Sequence, residues 1–224
     1  MELNKTIDHT KLGANIEKSQ IDQLIEEAKT YDFKSVCVNP IWVKYAKHKL
    51  KKTDVLVCTV IGFPHGTHQA DVKSYEAKRA ILDGADELDM VINVNALKSK
   101  DYHTIIEEIK GVVEQAQGKT VKVIIETCYL SNEQIAKVSE LVVQAGAQFV
   151  KTSTGFGTHG ATVEHVKLMK ETVKDKAEVK ASGGVRTYED AIKMIEAGAT
   201  RIGTSNGVDI VNKRRKENDS NTSY

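Results

Sequence analysis

The chain is 224 residues long and carries 32 Lys and Arg against 31 Asp and Glu, a formal net charge of +1. A charge so balanced gives no global field with which to hold nucleic acid or an anionic membrane, and neither is an expected partner. Hydrophobic residues at 40% and charged residues at 28% fit a folded globular protein and exclude a disordered one.

In chain order, short β-branched runs alternate with amphipathic helical patterns. The polar start Met1-Glu2-Leu3-Asn4-Lys5 is followed by no apolar stretch, so a cytoplasmic protein is expected. A first strand is predicted at Ile7 to Thr10, then a helix that places Ile21, Leu24, Ile25 and Ala28 on one face. Strands follow at Ser35 to Asn39 and Val55 to Ile61. The run containing the latter reaches Phe63 but includes Thr59 and Gly62, far short of a membrane span. The strand Glu87 to Asn93 precedes a helix with Ile105, Ile109, Val112 and Ala116 on one face. After the strand Val121 to Thr127, the capping box Ser131-Asn132-Glu133-Gln134 opens a helix carrying Ile135, Val138 and Val142. Strands at Phe149 to Thr152, Val179 to Ser182 and Arg201 to Gly203 complete eight. Gly84, Gly146 and Gly198 each stop a helix just before a strand, where a left-handed residue turns the chain back.

Most of these strands are apolar nearly throughout, as parallel strands covered on both faces are. Two prolines and no Ser/Gly/Pro-rich linker leave nowhere to divide the chain. Eight units, with no G-x-G-x-x-G fingerprint after the first strand, favour a closed single-domain TIM (β/α)₈ barrel over an open doubly wound sheet. The barrel is expected to span residues 1–211, with a polar tail over 212–224 whose Lys213-Arg214-Arg215-Lys216 run reads as a solvated helix end. Cys37, Cys58 and Cys128 lack zinc-like spacing and are expected to be buried small hydrophobes.

Chemistry in such a barrel sits at the C-terminal ends of the strands. Asp89, Lys151 and Lys180 each interrupt a run that otherwise reads as core, and an unpaired buried charge costs several kcal/mol. Two lysines on neighbouring strands would bring their ammonium groups to roughly 6 Å. At an effective dielectric of about 20 their repulsion is worth about 2.8 kcal/mol, which favours one neutral amine at working pH. A neutral amine attacks carbonyls, so a lysine pair with a carboxylate outlines a Schiff-base site. The loops Gly183-Gly184-Val185-Arg186-Thr187 and Gly203-Thr204-Ser205-Asn206-Gly207 follow the last two strands, where barrels bind phosphate on backbone N–H groups.

Five segments, in order along nearly the whole chain, resemble the deoxyribose-phosphate aldolase family. They are Val-Ile-Gly-Phe-Pro-His-Gly (60–66), Glu-Leu-Asp-Met-Val-Ile-Asn (87–93), Phe-Val-Lys-Thr-Ser-Thr-Gly-Phe (149–156), Val-Lys-Ala-Ser-Gly-Gly-Val-Arg-Thr (179–187) and Arg-Ile-Gly-Thr-Ser (201–205). The resemblance implies a class I lyase without metal or other cofactor, reversibly cleaving 2-deoxy-D-ribose 5-phosphate to acetaldehyde and D-glyceraldehyde 3-phosphate. It makes Lys151 the Schiff-base lysine, Lys180 the lysine that perturbs it and Asp89 the proton-relay carboxylate. It places Asp8, Cys37 and Thr152 around the substrate and Gly155, Gly183, Gly184, Arg186, Gly203 and Ser205 around its phosphate. Phe156 and Asn206, the latter also a substrate contact, stand where some members carry Lys and Ser, so one cationic phosphate contact is missing. Tyr224 resembles a terminal tyrosine that assists proton transfer, and a homodimer is the expected assembly. Open alternatives are another lysine-dependent barrel aldolase or transaldolase, and a barrel that binds sugar phosphate without turning it over. A metal enzyme would have to rely on His65 and His68, which lie in a Gly-containing loop.

Overall fold

The computed structural model describes residues 2–213 and closes eight parallel strands into a barrel in the order β1 to β8. The strands are β1 (Ile7–Lys11), β2 (Ser35–Val38), β3 (Leu56–Ile61), β4 (Glu87–Val91), β5 (Thr120–Ile124), β6 (Phe149–Lys151), β7 (Glu178–Ser182) and β8 (Arg201–Thr204). Around them run α1 (Lys18–Thr30), α2 (Val43–Lys49), α3 (Ala70–Asp83), the short α4 (Val94–Lys98), α5 (Tyr102–Gln115), α6 (Asn132–Gln144), α7 (Val163–Val173), α8 (Tyr188–Glu196) and α9 (Gly207–Val211). The single (β/α)₈ barrel is the fold the strand–helix alternation predicts. No helix among the described residues is long and apolar enough to cross a membrane.

The helix faces read from the sequence are the ones that pack. Ile21, Leu24, Ile25 and Ala28 of α1, and Ile105, Ile109 and Val112 of α5, are buried against outward-facing strand residues such as Val36, Leu88 and Val123. Burying each large aliphatic side chain contributes roughly 1.5–3 kcal/mol. Ser131 caps α6 by accepting from the Gln134 amide, while the Gln134 side chain accepts from the Ser131 amide. Gly198 ends the run after α8 at φ +112°, and a Cβ there would lie 2.6 Å from Cγ of Lys170, so both conformation and space require glycine.

Four strands stop short of their predicted ends for local reasons. β2 ends at Val38, because Asn39 leads into the 3-10 turn Pro40–Trp42 and its side chain donates to the Leu12 and Gly13 carbonyls. Asn93 leaves β4 to cap α4, its side chain accepting from the Ala96 amide. Glu126 adopts a left-handed conformation that breaks the run after β5. Thr152 lies one residue past β6. By contrast β8 runs to Thr204, one residue past its predicted end, so Thr204 belongs to the strand rather than to the loop expected there.

The two layers differ in chemistry. The helix–sheet layer is aliphatic, whereas inside the barrel Cys37, Cys58 and Val60 form a small separate apolar cluster with Leu12 and Phe63 packed on it. Beside it lie seven buried charged side chains, Asp8, Glu87, Asp89, Lys122, Lys151, Lys180 and Arg201.

Candidate active site

Alternation along the strands sends every second side chain to the barrel axis. Glu87 and Asp89 on β4 therefore share the interior with Lys122 on β5, Lys151 on β6, Lys180 on β7, Arg201 on β8 and Asp8 on β1. The register pairs Asp89 with Lys122, Lys151 with Lys180, and Lys180 with Arg201. Gly203 makes room on β8, because a Cβ there would lie 3.1 Å from Cε of Lys180 and 3.0 Å from Cβ of Ser182.

Asp89 is the hub. Its Oδ2 accepts from Nζ of Lys151 and from Nζ of Lys180, each at 2.7 Å, so the two nitrogens are at most twice that distance apart. Its Oδ1 accepts from Nζ of Lys122 at 3.0 Å and from Sγ of Cys58 at 3.1 Å. Lys180 also pairs with Oδ2 of Asp8 at 2.5 Å, and Lys122 donates to Oε2 of Glu87 at 2.6 Å. Arg201 closes the ring, its Nη2 reaching Oδ1 of Asp8 at 2.6 Å and Oε2 of Glu87 at 2.5 Å. The Ser35 hydroxyl donates to Oδ1 of Asp8 at 2.6 Å.

Burial pushes the Asp8 carboxyl upward, but Lys180, Arg201 and Lys122 outweigh it and hold the group well below the usual carboxylate range. Asp89 behaves alike: burial raises it, and Lys122, Lys151 and Lys180 together bring it far down. Burial works against charge on Lys180, yet Asp8 and Asp89 prevail and fix it as an ammonium ion. The same contest on Lys122 is won by Asp89, Cys58, Asp8 and Glu87. This corrects the simple picture of two mutually repelling lysines: Lys180 lies between two carboxylates and is not short of counter-charge.

Lys151 lies uppermost, 3% exposed, at the last position of β6. Above it, Glu126 uses its left-handed backbone to bring its carboxylate under the next loop, where it accepts from the amide and hydroxyl of Thr154. Burial pushes the Glu126 carboxyl up, and the Thr154 contacts oppose this only in part. A cavity of about 270 Å³ opens over the ends of β3 to β6, walled by Glu126, Thr154, Tyr129, Phe156, Val91 and Pro64. Lys151 and Lys180 lie beneath it rather than in its wall. Phe156, 56% exposed, meets the edge of Phe63 with ring centroids 5.4 Å apart.

The loops after β6, β7 and β8 form one surface. A Cβ on Gly183 would lie 2.9 Å from Cα of Gly160, and the Ala161 amide donates to the carbonyls of Ser182 and Gly183. Thr204 donates its hydroxyl to the Val185 carbonyl and accepts from the Asn206 amide. Gly155, Gly183 and Gly184 all have φ between +78° and +88°, the left-handed region that glycine enters without strain. The Arg186 and Thr187 amides donate to Oδ2 of Asp190, and Thr187 caps α8.

The sequence-predicted residues divide into three groups. Asp89, Lys151 and Lys180 come together, although Asp89 and Lys180 sit in mid-strand, a layer below the strand ends. Gly155, Gly183, Gly184, Arg186, Ser205 and Asn206 gather at the rim. Asp8, Cys37 and Thr152 are fully buried: Asp8 belongs to the ion network, Cys37 faces Cys58 across the register, and Thr152 bonds the amide and carbonyl of Ser182. Cys128 is half-buried beside Glu126 rather than a core residue, while Cys37 and Cys58 are enclosed. Tyr224 lies outside the described residues. Cys37, Cys58 and Asp89 offer ligand atoms within 4.8 Å of one another, a juxtaposition their spacing hides. Both Asp89 oxygens face ammonium groups there, which would repel a cation. Sequence reasoning missed Glu87, Lys122, Glu126 and Arg201. Lys122 interrupts Thr-Val-Lys-Val-Ile as plainly as Lys180 interrupts its own strand, so the signal was present.

Comparison with known proteins agrees with this geometry. A sequence profile described as "DeoC/LacD family aldolase" matches residues 3–213. A deoxyribose-phosphate aldolase of Acholeplasma laidlawii is 56% identical over 224 residues, covering all of both chains. One from Streptococcus sanguinis is 59% identical over 211 residues, 94% of this chain and 96% of its own. Among solved structures, the tetrameric deoxyribose phosphate aldolase of Aeropyrum pernix superposes with a TM-score of 0.88 at 33% identity, over 94% of this chain and 89% of that one. A charged barrel interior with lysines on β6 and β7, carried by a sequence this close to those proteins, leaves one conclusion: the chain belongs to the DeoC/LacD family of aldolases.

Proposed function

We propose that this protein is a class I aldolase that reversibly cleaves 2-deoxy-D-ribose 5-phosphate into acetaldehyde and D-glyceraldehyde 3-phosphate. The observation that carries the reading is the pair of buried lysines, Lys151 and Lys180, meeting on a single oxygen of Asp89 beneath the strand ends. The neutral form of Lys151 adds to the aldehyde carbon of the open-chain sugar, and loss of water leaves an iminium ion. With the iminium as electron sink, the C3 hydroxyl gives up its proton to the Asp89 relay, the C2–C3 bond breaks and D-glyceraldehyde 3-phosphate departs from an enamine. Enamine protonation and hydrolysis release acetaldehyde and restore Lys151.

Asp89 Oδ2 bridges the two lysines, so protons pass between them along it, and the carboxylate stays as counter-ion to the iminium. Lys180, held as ammonium, serves as the proton donor of the pair. The peptide N–H groups of Gly155, Gly183 and Gly184, with Arg186, Ser205 and Asn206, hold the phosphate, and that remote binding orients the reacting bond. Thr152 fixes β6 to β7 next to the reacting amine, and Tyr224 assists proton transfer from the tail. The catalytic barrel spans 1–211 and the tail 212–224; the protein works in the cytoplasm as a homodimer, without metal or cofactor.

The test is turnover. Deoxyribose 5-phosphate should be cleaved with stoichiometric acetaldehyde, while transaldolase and keto-acid aldolase substrates should not be. Binding of deoxyribose 5-phosphate without acetaldehyde release would instead identify a non-catalytic sugar-phosphate barrel.

A further inference from the structure

Glu126 is a buried carboxylate at the mouth of the barrel for which the proposed reaction has no step. It is 4% exposed and sits at φ +52°, ψ +67°. A non-glycine residue holds that left-handed conformation only where its surroundings repay the strain. Here the repayment is a set of bonds to the loop after β6. Oε1 of Glu126 accepts from the Thr154 amide at 3.3 Å, and Oε2 accepts from the Thr154 hydroxyl. That hydroxyl in turn accepts from the Phe156 amide at 3.0 Å.

The turn Thr154-Gly155-Phe156 is therefore fixed at both ends. Between them Gly155 is exposed, and its amide donates to no group among the described residues. The turn lies against the loop after β7, because a Cβ on Gly183 would be 3.6 Å from Cα of Gly155. Neighbours of Glu126 extend the hold in both directions. The Thr127 amide donates to the Thr152 carbonyl at 2.9 Å. A Cβ on Gly157 would lie 2.7 Å from Sγ of Cys128 and 3.2 Å from Cδ of Glu126, so the far end of the loop packs closely on the same segment.

A carboxylate suits this place because two donors of Thr154 converge on it and both of its oxygens accept, whereas a glutamine would turn an NH₂ group toward one donor. Burial pushes the Glu126 carboxyl up, and the Thr154 bonds, Cys128 and the Lys151 charge oppose that rise. Proton exchange with Lys151 would be a different role. Both Glu126 oxygens are engaged by Thr154, and Lys151 makes its ion pair with Asp89 at 2.7 Å.

We propose that Glu126 is a positioning residue for phosphate selectivity, holding the Gly155 amide beside the Gly183 loop through Thr154. The proposal rests on the reading of these glycine loops as the phosphate site. Glu126 acts through the turn and does not itself contact the phosphate.

The experiment compares kcat/KM for deoxyribose 5-phosphate with kcat/KM for unphosphorylated 2-deoxyribose, in the full chain. The ratio of the two isolates what the phosphate contributes. Glu126→Gln should lower the ratio about tenfold, the scale of one lost hydrogen bond to a charged group. Thr154→Val should lower it alike, and the double variant should fall no further, because both changes break one contact. Thr154→Ser keeps the hydroxyl and should stay within about twofold of the wild-type ratio. A merely structural role lowers both substrates together and leaves the ratio unchanged. An unchanged ratio in folded Glu126→Gln, or additive losses in the double variant, overturns the proposal. Should Glu126→Gln fail to fold, the Thr154 pair decides: a ratio lowered in Val and kept in Ser supports the proposal, and equal ratios overturn it. A wild type that cleaves both sugars equally well would reject the phosphate reading itself, and the proposal with it.

Discussion

Lys151 and Lys180 occupy partnered positions on adjacent strands, yet their surroundings divide the work between them. Lys180 is enclosed between Asp8 and Asp89 and stays charged; Lys151, one layer higher, has half of one carboxylate oxygen and the nearest approach to the mouth. Lys151→Leu should leave a folded barrel with turnover at background, checked by circular dichroism beside the aldol cleavage assay. Asp89→Asn keeps the shape but removes the bridge and a buried negative charge, and is expected to slow turnover about 10²–10⁴-fold, the range for a positioned acid–base group. Cleavage at wild-type speed in that variant would remove Asp89 from the proton path. These three residues were legible because charge inside a β-branched run has no structural excuse. Asp8, Glu87 and Arg201 escaped the same reasoning because each lies at or near a strand's first residue, where charge is ordinary and inward direction is set by register alone.

Elements place these groups through small residues and buried pairs. Gly203 reads as a phosphate-loop glycine in the sequence, but in the barrel its missing Cβ leaves space for the Lys180 stem. Gly203→Ala should cost about 1–3 kcal/mol through overpacking and reduce turnover as Lys180 shifts from Asp89. Urea unfolding together with steady-state kinetics checks both effects; full activity with unchanged stability would show that the strand gives way freely. Farther out, Lys73 on α3 and Glu108 on α5 form a buried 2.6 Å pair. Lys73 donates to the Val91 carbonyl and Glu108 accepts from the Asn93 amide, so the pair clamps the end of β4. Lys73→Met should destabilise by about 3–5 kcal/mol, the cost of stranding a buried charge. The helix faces and glycine stops were readable because they follow periodicity. The Lys73–Glu108 clamp was not, since a charged residue on a helix predicts solvent until the neighbouring helix is placed.

At the scale of the molecule, the ionic interior ties stability to pH. Asp8 and Asp89 bind their protons more weakly folded than unfolded. Their contribution is thus fully present above the unfolded value of about 3.9 and is lost as pH falls below it toward the folded values. The melting temperature should therefore drop steeply below about pH 4, and Asp8→Asn should flatten that slope; an undiminished slope would place the acid sensitivity elsewhere. The barrel itself was legible from eight strand–helix units, whereas the ring of charge along its axis depends on closure. Only closure brings β1 beside β8 and Asp8 within reach of both Lys180 and Arg201. The central claim, that one buried amine of this barrel bonds covalently to the substrate carbonyl, is tested most directly by borohydride reduction in the presence of acetaldehyde followed by peptide mapping. The account predicts a single ethyl group on Lys151; an adduct on Lys180 or Lys122, or no stable adduct while cleavage proceeds, would contradict it.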